Sequence, residues 1–124
     1  MKQMIHTDNA PAAIGPYAQA QKIGDFVFTS GQLGIDVEKG GLAEGVEAQA
    51  HAAMRNLGQI LDAAGTGYAQ IIKTTIFVKD LADFATINKV YASYFEGDYP
   101  ARSCVQVAAL PMGGLVEIEA IAKV

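Results

Sequence analysis

The chain has 124 residues, 51% of them apolar and 18% charged, with thirteen acidic residues against nine basic ones and a net charge of −4. That is the length of a single domain, residues 1–124, and it carries more apolar surface and less charge than a small monomer needs, so a homo-oligomer is expected. The acidic balance argues against nucleic acid as a partner, one Cys excludes an intrachain disulfide, and two His with one Cys cannot build an ordinary structural zinc site.

The opening MKQMIHTDNAPAA has no signal-peptide core, and no apolar run approaches the roughly 20 residues of a membrane span, so a cytoplasmic protein without a membrane partner is expected. Gln3–His6 reads as a short strand. Tyr17–Ile23 and Phe26–Ser30 flank Gly24–Asp25 and read as a hairpin. Gly31 to Gly45 reads as a surface loop. Val46, Ala50, Ala53, Leu57, Ile60, Leu61 and Ala64 recur at helical spacing, which predicts a helix over 46–64 stopped by Gly65. Ile71–Lys79 has strand composition. Asp83 is placed to N-cap a second helix, with Phe84, Ile87, Tyr91, Tyr94 and Phe95 as its apolar stripe and Gly97 as its end. Arg102–Ala108 and Leu115–Val124 complete a β-β-β-α-β-α-β-β order. Two helices are enough to cover one face of a sheet, an α+β layout, and the other face is expected to be apolar and buried by neighbouring subunits.

Several chemistries fail on spacing. Gly65-Thr66-Gly67 lacks the third glycine of a dinucleotide fingerprint and follows a helix instead of a strand. Ser30-Gly31 lacks the first glycine of a nucleophile elbow, because Phe28 stands there. His51 and His6 read as boundary or solvent-facing residues, and Arg55 as part of a solvated helix face.

The informative stretch is YPARSCVQVAALPMGGLVEIEAIAKV. Strand alternation puts Arg102, Cys104 and Gln106 on one face, and Glu117, Glu119 and Ile121 together on a face of the last strand. A guanidinium among apolar residues needs an anionic partner, either a protein carboxylate or a ligand, and its planar fork suits a carboxylate. If the last two strands form a simple hairpin with 108 opposite 115, Arg102 faces Ile121 and lies about 13 Å from Glu117. A structural ion pair and a ligand site are both open at this point. Direct pairing needs another sheet order or two subunits.

At these residues the chain resembles the RidA/YjgF family. PARSCVQVAAL followed by VEIEA matches its C-terminal signature, and GPYAQA, FTSGQ and Asn88 match its earlier landmarks, in order and over nearly the whole chain. Ala18 stands where Ser is common and Gly34 where many members have Pro. The resemblance implies a chorismate-mutase-like α+β fold, a mixed β-sheet with two helices on one face, assembled as a homotrimer with sites in the clefts between subunits. It implies hydrolytic deamination of reactive 2-imino and 2-enamino acids, by-products of pyridoxal-phosphate dehydratases, without a cofactor or metal of its own. Arg102 would grip the substrate carboxylate and Glu117 would orient or activate water. Main-chain groups around Cys104 and Gly31 would line the pocket with Ser30, and Asn88 and Tyr17 would complete it, Tyr17 from across the interface. Two other functions follow from the same pocket or family: a small-carboxylate or 2-keto-acid binding module without turnover, and the ribonuclease or translation-inhibitor activity attributed to some relatives. The acidic balance weighs against the second.

Overall fold

The computed structural model describes residues 1–124. Its elements are β1 (Gln3–Ile5), β2 (Ala20–Ile23), β3 (Phe26–Thr29), β4 (Gln32–Leu33), β5 (Ile35–Asp36), β6 (Gly41–Leu42), α1 (Gly45–Ala63), β7 (Ile71–Val78), α2 (Phe84–Ala92), β8 (Ala101–Gln106) and β9 (Val116–Lys123). The main sheet runs β1-β2-β3-β9-β7-β8, with β4 also paired to β9. Only β7 and β8 pair in parallel, so the sheet is mixed.

The long helix follows its pattern. Ala50, Ala53, Met54, Leu57, Ile60 and Leu61 are buried. At its end Gly65 takes φ 86°, its N–H bonds Asp62 O at 3.0 Å, and the Thr66 N–H bonds Leu61 O at 2.9 Å. These paired bonds satisfy the last carbonyls, and glycine adopts the left-handed backbone without a side-chain clash. On β7 a register shift between Ile71 and Lys73 lets Ile71 and Thr74 both face the helices while Ile72 turns outward. Val27, Ile76, Val78, Val116, Ile118, Ala120 and Ala122 join the helix residues in one hydrophobic cluster. Both helices therefore lie on one face of the sheet.

Four expectations change. Gly31 to Gly45 is not an irregular loop: it contains β4, which pairs Gln32 with Ile118, and the β5–β6 hairpin. The buried Asn56 on α1 holds this segment by donating to Leu33 O (3.3 Å) and Ile35 O (2.9 Å), a tertiary tie that local spacing does not reveal. The second helix ends at Ala92, well before Gly97, where the Ser93 hydroxyl donates to Val90 O at 2.6 Å. Asp83 stands at its N-cap without a side-chain cap bond, whereas Asp80 accepts from the Ala82 N–H at 2.9 Å. The uncovered face is mixed instead of apolar: Phe28, Phe77, Val105 and Ile121 share it with Lys73, Thr75, Glu117 and Glu119.

The last two strands do not form a hairpin. β7 lies between them, so Arg102 pairs with Thr74, and Thr74 with Ala120. Glu117 pairs instead with Phe77, in the row of Val105. Arg102 and Glu117 are thus two strands and three positions apart, roughly 14 Å along the sheet, and their side chains leave opposite faces.

Candidate functional site

Arg102 is built into a three-sided holder. Phe84, Asn88 and Tyr91 recur at i, i+4 and i+7 on α2 and present one helical stripe to β8. The Arg102 Nη1 donates to Asn88 Oδ1 at 2.6 Å, and the guanidinium carbon lies 5.4 Å from the Phe84 ring centre and 5.2 Å from that of Tyr91. The Tyr91 hydroxyl in turn shares a 2.7 Å hydrogen bond with the buried Thr74 hydroxyl. Burial pushes the Tyr91 phenol up, with the Thr74 bond and the Arg102 charge pulling the other way, so the ring stays neutral beside the cation.

The holder contains no carboxylate. The chain's ion pairs are His6–Asp8 and Lys39–Glu44, so the structural pair between Arg102 and a glutamate of β9 is not made. Asn88 takes one of the five N–H donors of the guanidinium, and the rest of the fork faces a cleft of about 450 Å³ bordered by Tyr99 and Pro100.

Glu117 belongs to a second cleft, of about 500 Å³, with Tyr17, Gln19, Ser30, Gly31 and Gln32 in its wall. The Glu117 carboxyl group rests on the Gly31 backbone: a Cβ there would stand 2.7 Å from Glu117 Cδ. Ser30 is fixed by its hydroxyl donating to Ala18 O (2.6 Å) and its N–H donating to Gln19 O (2.9 Å). Burial pushes the Glu117 carboxyl above the ordinary carboxylate range, and the neighbouring charge of Glu119 adds to it. Desolvation is therefore not offset by Arg102, which faces the other way.

The expected site residues thus fall into two groups within one chain. Arg102 and Asn88 meet in one cleft; Tyr17, Ser30, Gly31 and Glu117 meet in the other. Cys104 is half-buried against the core, and burial pushes its thiol up with Arg102 acting weakly against that, which keeps it protonated and a poor nucleophile. Among the residues without an expected role, His51 bonds Tyr94 Oη through Nδ1 at 2.9 Å, His6 bonds Asp8 at 3.0 Å, and Arg55 is exposed.

Phe84, Tyr91 and Thr74 were invisible as functional partners in the sequence, since the stripe of α2 reads as core. Gln19 also lacks a local signal for its role. It is buried, accepts from the Thr7 N–H at 2.8 Å, and donates to Thr7 O (3.1 Å) and Pro11 O (2.8 Å), so it pins the segment that carries Tyr17.

Comparison with known proteins agrees with this architecture. The family described as Endoribonuclease L-PSP matches residues 7–124. A Salmonella typhimurium protein named 2-iminobutanoate/2-iminopropanoate deaminase is 51% identical over 98% of both chains. The crystal structure of RidA from an Antarctic Psychrobacter superposes with a TM-score of 0.95 at 48% identity, covering 98% of this chain and 99% of that one. E. coli TdcF with bound serine gives a TM-score of 0.95 at 47% identity over 98% of each chain. No helix here is long and apolar enough to cross a membrane. With a fold, a signature and a full-length likeness all in agreement, the chain belongs to the RidA/YjgF family.

Proposed function

We propose that the protein is a 2-iminobutanoate/2-iminopropanoate deaminase, a hydrolase that converts 2-imino acids and their enamine tautomers to 2-keto acids and ammonia. The observation that carries this reading is the Arg102 fork, held by Asn88 and two aromatic rings yet without a carboxylate of its own chain. A rigid, unpaired guanidinium is built for a ligand carboxylate. The names of relatives about half identical over the full chain support the same activity.

The working unit is a homotrimer of single-domain subunits, residues 1–124, in the cytoplasm, acting on a small imino acid without a cofactor or nucleic acid. Arg102 and Glu117 leave opposite faces of one sheet, so one subunit cannot present both to the same substrate. A site between subunits joins Arg102, Asn88 and the main chain at Cys104 of one copy to Glu117, Gly31, Ser30 and Tyr17 of the next. The half-exposed aromatic residues of the uncovered face supply the apolar contact.

In that site Arg102 binds the carboxylate and so places the adjacent C=N carbon. Glu117 takes a proton from a water as its oxygen bonds that carbon, and returns a proton to the nitrogen. In the resulting aminoalcohol the hydroxyl proton passes by way of Glu117 to the nitrogen as the C–N bond breaks, so ammonia leaves and the oxygen becomes that of the ketone. A carboxyl group raised toward neutrality is suited to both halves of this transfer.

The test couples the protein to a threonine dehydratase and follows the imine trapped as its semicarbazone. Wild type lowers the trapped imine and Arg102→Ala does not; equal clearance by both overturns the role of Arg102. Serine bound to the TdcF relative favours, as a second reading, a binder of small amino or keto acids. Glu117→Gln separates the two, since a catalyst loses turnover while keeping 2-ketobutyrate affinity.

A further inference from the structure

The cleft that holds Glu117 also has an apolar mouth, formed by Ile14 and Met112, residues that are 89% and 62% exposed. Met112 is the single residue other than glycine with a positive φ, 62°. With Gly113 at φ 75° it forms the two central positions of a turn closed by the Gly114 N–H on Pro111 O at 3.0 Å. Two successive left-handed residues define a type I′ turn, which favours Gly, Asn or Asp at the position that Met112 occupies. Gly114 is buried so tightly that a Cβ there would stand 2.9 Å from Leu33 Cδ2, itself in the cleft wall. A methionine held in a strained backbone, with most of its side chain in solvent, returns little packing to its own fold.

We propose that Met112 is a specificity-determining residue: with Ile14 it forms the wall along which the substrate side chain lies, and it favours imines with long unbranched apolar side chains over the imine of alanine. This rests on the deaminase reading and names its substrate class. The polar atoms of a 2-imino acid are engaged at Glu117 and Arg102, so its side chain extends toward the apolar part of the cleft. Its wall carries Ile14, Leu33, Ile35 and Met112 beside the polar groups, a lining suited to an apolar side chain. A thioether side chain with three rotatable bonds adapts to chains of different length.

The experiment generates imines in place from L-alanine and L-norleucine with an L-amino-acid oxidase and catalase, and follows their loss by semicarbazone trapping. Met112→Asn and Met112→Gly both suit a left-handed backbone, so both fold, with a melting temperature at or above that of wild type. The ratio of kcat/KM for the norleucine imine to that for the alanine imine falls about tenfold in each, the scale of a lost contact with a methylene or two. Met112→Leu keeps the ratio. An unchanged ratio in both variants, or equal loss on both imines, overturns the proposal while leaving the deaminase reading in place. Failure of wild type on both imines is a different result, and it removes the reading and the proposal together.

Discussion

The carboxyl group of Glu117 lies directly over the α-carbon of Gly31, so close that a methyl group on Gly31 would come within 2.8 Å of Oε1 and 2.9 Å of Cγ. Gly31 is required here for its missing side chain, since its φ is not in the left-handed region. Gly31→Ala is expected to push Glu117 aside by about an ångström. Misplacing a catalytic group by that much costs on the order of a hundredfold in rate. Imine clearance should fall accordingly, while calorimetric binding of 2-ketobutyrate changes far less. A variant with wild-type kcat would show that the contact does not set the position of Glu117.

Asn88 and the two rings of α2 act on substrate through Arg102. Asn88→Ala leaves the guanidinium stacked but untethered, and KM for the imine should rise by about tenfold, the worth of a charge-assisted hydrogen bond, with kcat less affected. Arg102→Lys keeps the charge but loses the planar fork and its stacking, so kcat/KM should fall much as in Arg102→Ala. Rescue of activity by lysine would mean that charge alone is read. Steady-state kinetics of the three variants decides between these.

Residues whose role is set by strand or helix period were legible in the sequence. The alternation of VEIEAIA puts Glu117 and Glu119 on one face, and the structure keeps them there. The apolar stripe of α1 and its stop at Gly65 are equally local. What the sequence did not show is which strand lies beside which. Placing β8 in parallel on one side of β7 and β9 antiparallel on the other is a long-range choice, and the two registers together decide that Arg102 and Glu117 leave opposite faces. The buried amides Gln19, Gln49 and Asn56 were missed for a related reason. Each ties distant loops through backbone groups, as when the Leu115 N–H donates to Gln49 Oε1 at 2.9 Å, and glutamine or asparagine carries no local pattern for that.

Gly58 makes room for Tyr68. The tyrosine hydroxyl donates to Met54 O at 2.6 Å and passes over the Gly58 α-carbon, where a Cβ would collide with it. Burial, reinforced by Tyr94, raises this phenol to about 12, so it stays a donor throughout the working pH range. Gly58→Ala trades a gain in helix propensity for this clash, and overpacking of this kind costs roughly 1–3 kcal/mol. Chemical denaturation should show the loss. Tyr68→Phe in the same background removes the nearest colliding atom, the hydroxyl oxygen, and leaves Cζ, so it should recover part of the loss; no recovery would place the strain elsewhere.

Glu117 also makes stability depend on pH. Its folded pKa lies above the unfolded value of 4.5, first through burial and then through Glu119. A carboxyl group with a raised folded pKa binds its proton more tightly in the native state, so its contribution is present below the unfolded pKa and is lost as pH rises through the folded value. At neutral pH the ionised Glu117 therefore opposes folding, and Glu117→Gln should melt higher than wild type there, with the gap closing toward pH 4. Activity runs the opposite way: as the base that activates water, Glu117 gives a rate that climbs with pH through its folded pKa. Glu119→Gln removes the smaller cause and should move both the kinetic limb and the melting difference to lower pH together. A kinetic limb that stays in place while the melting profile moves would assign the catalytic proton to another group.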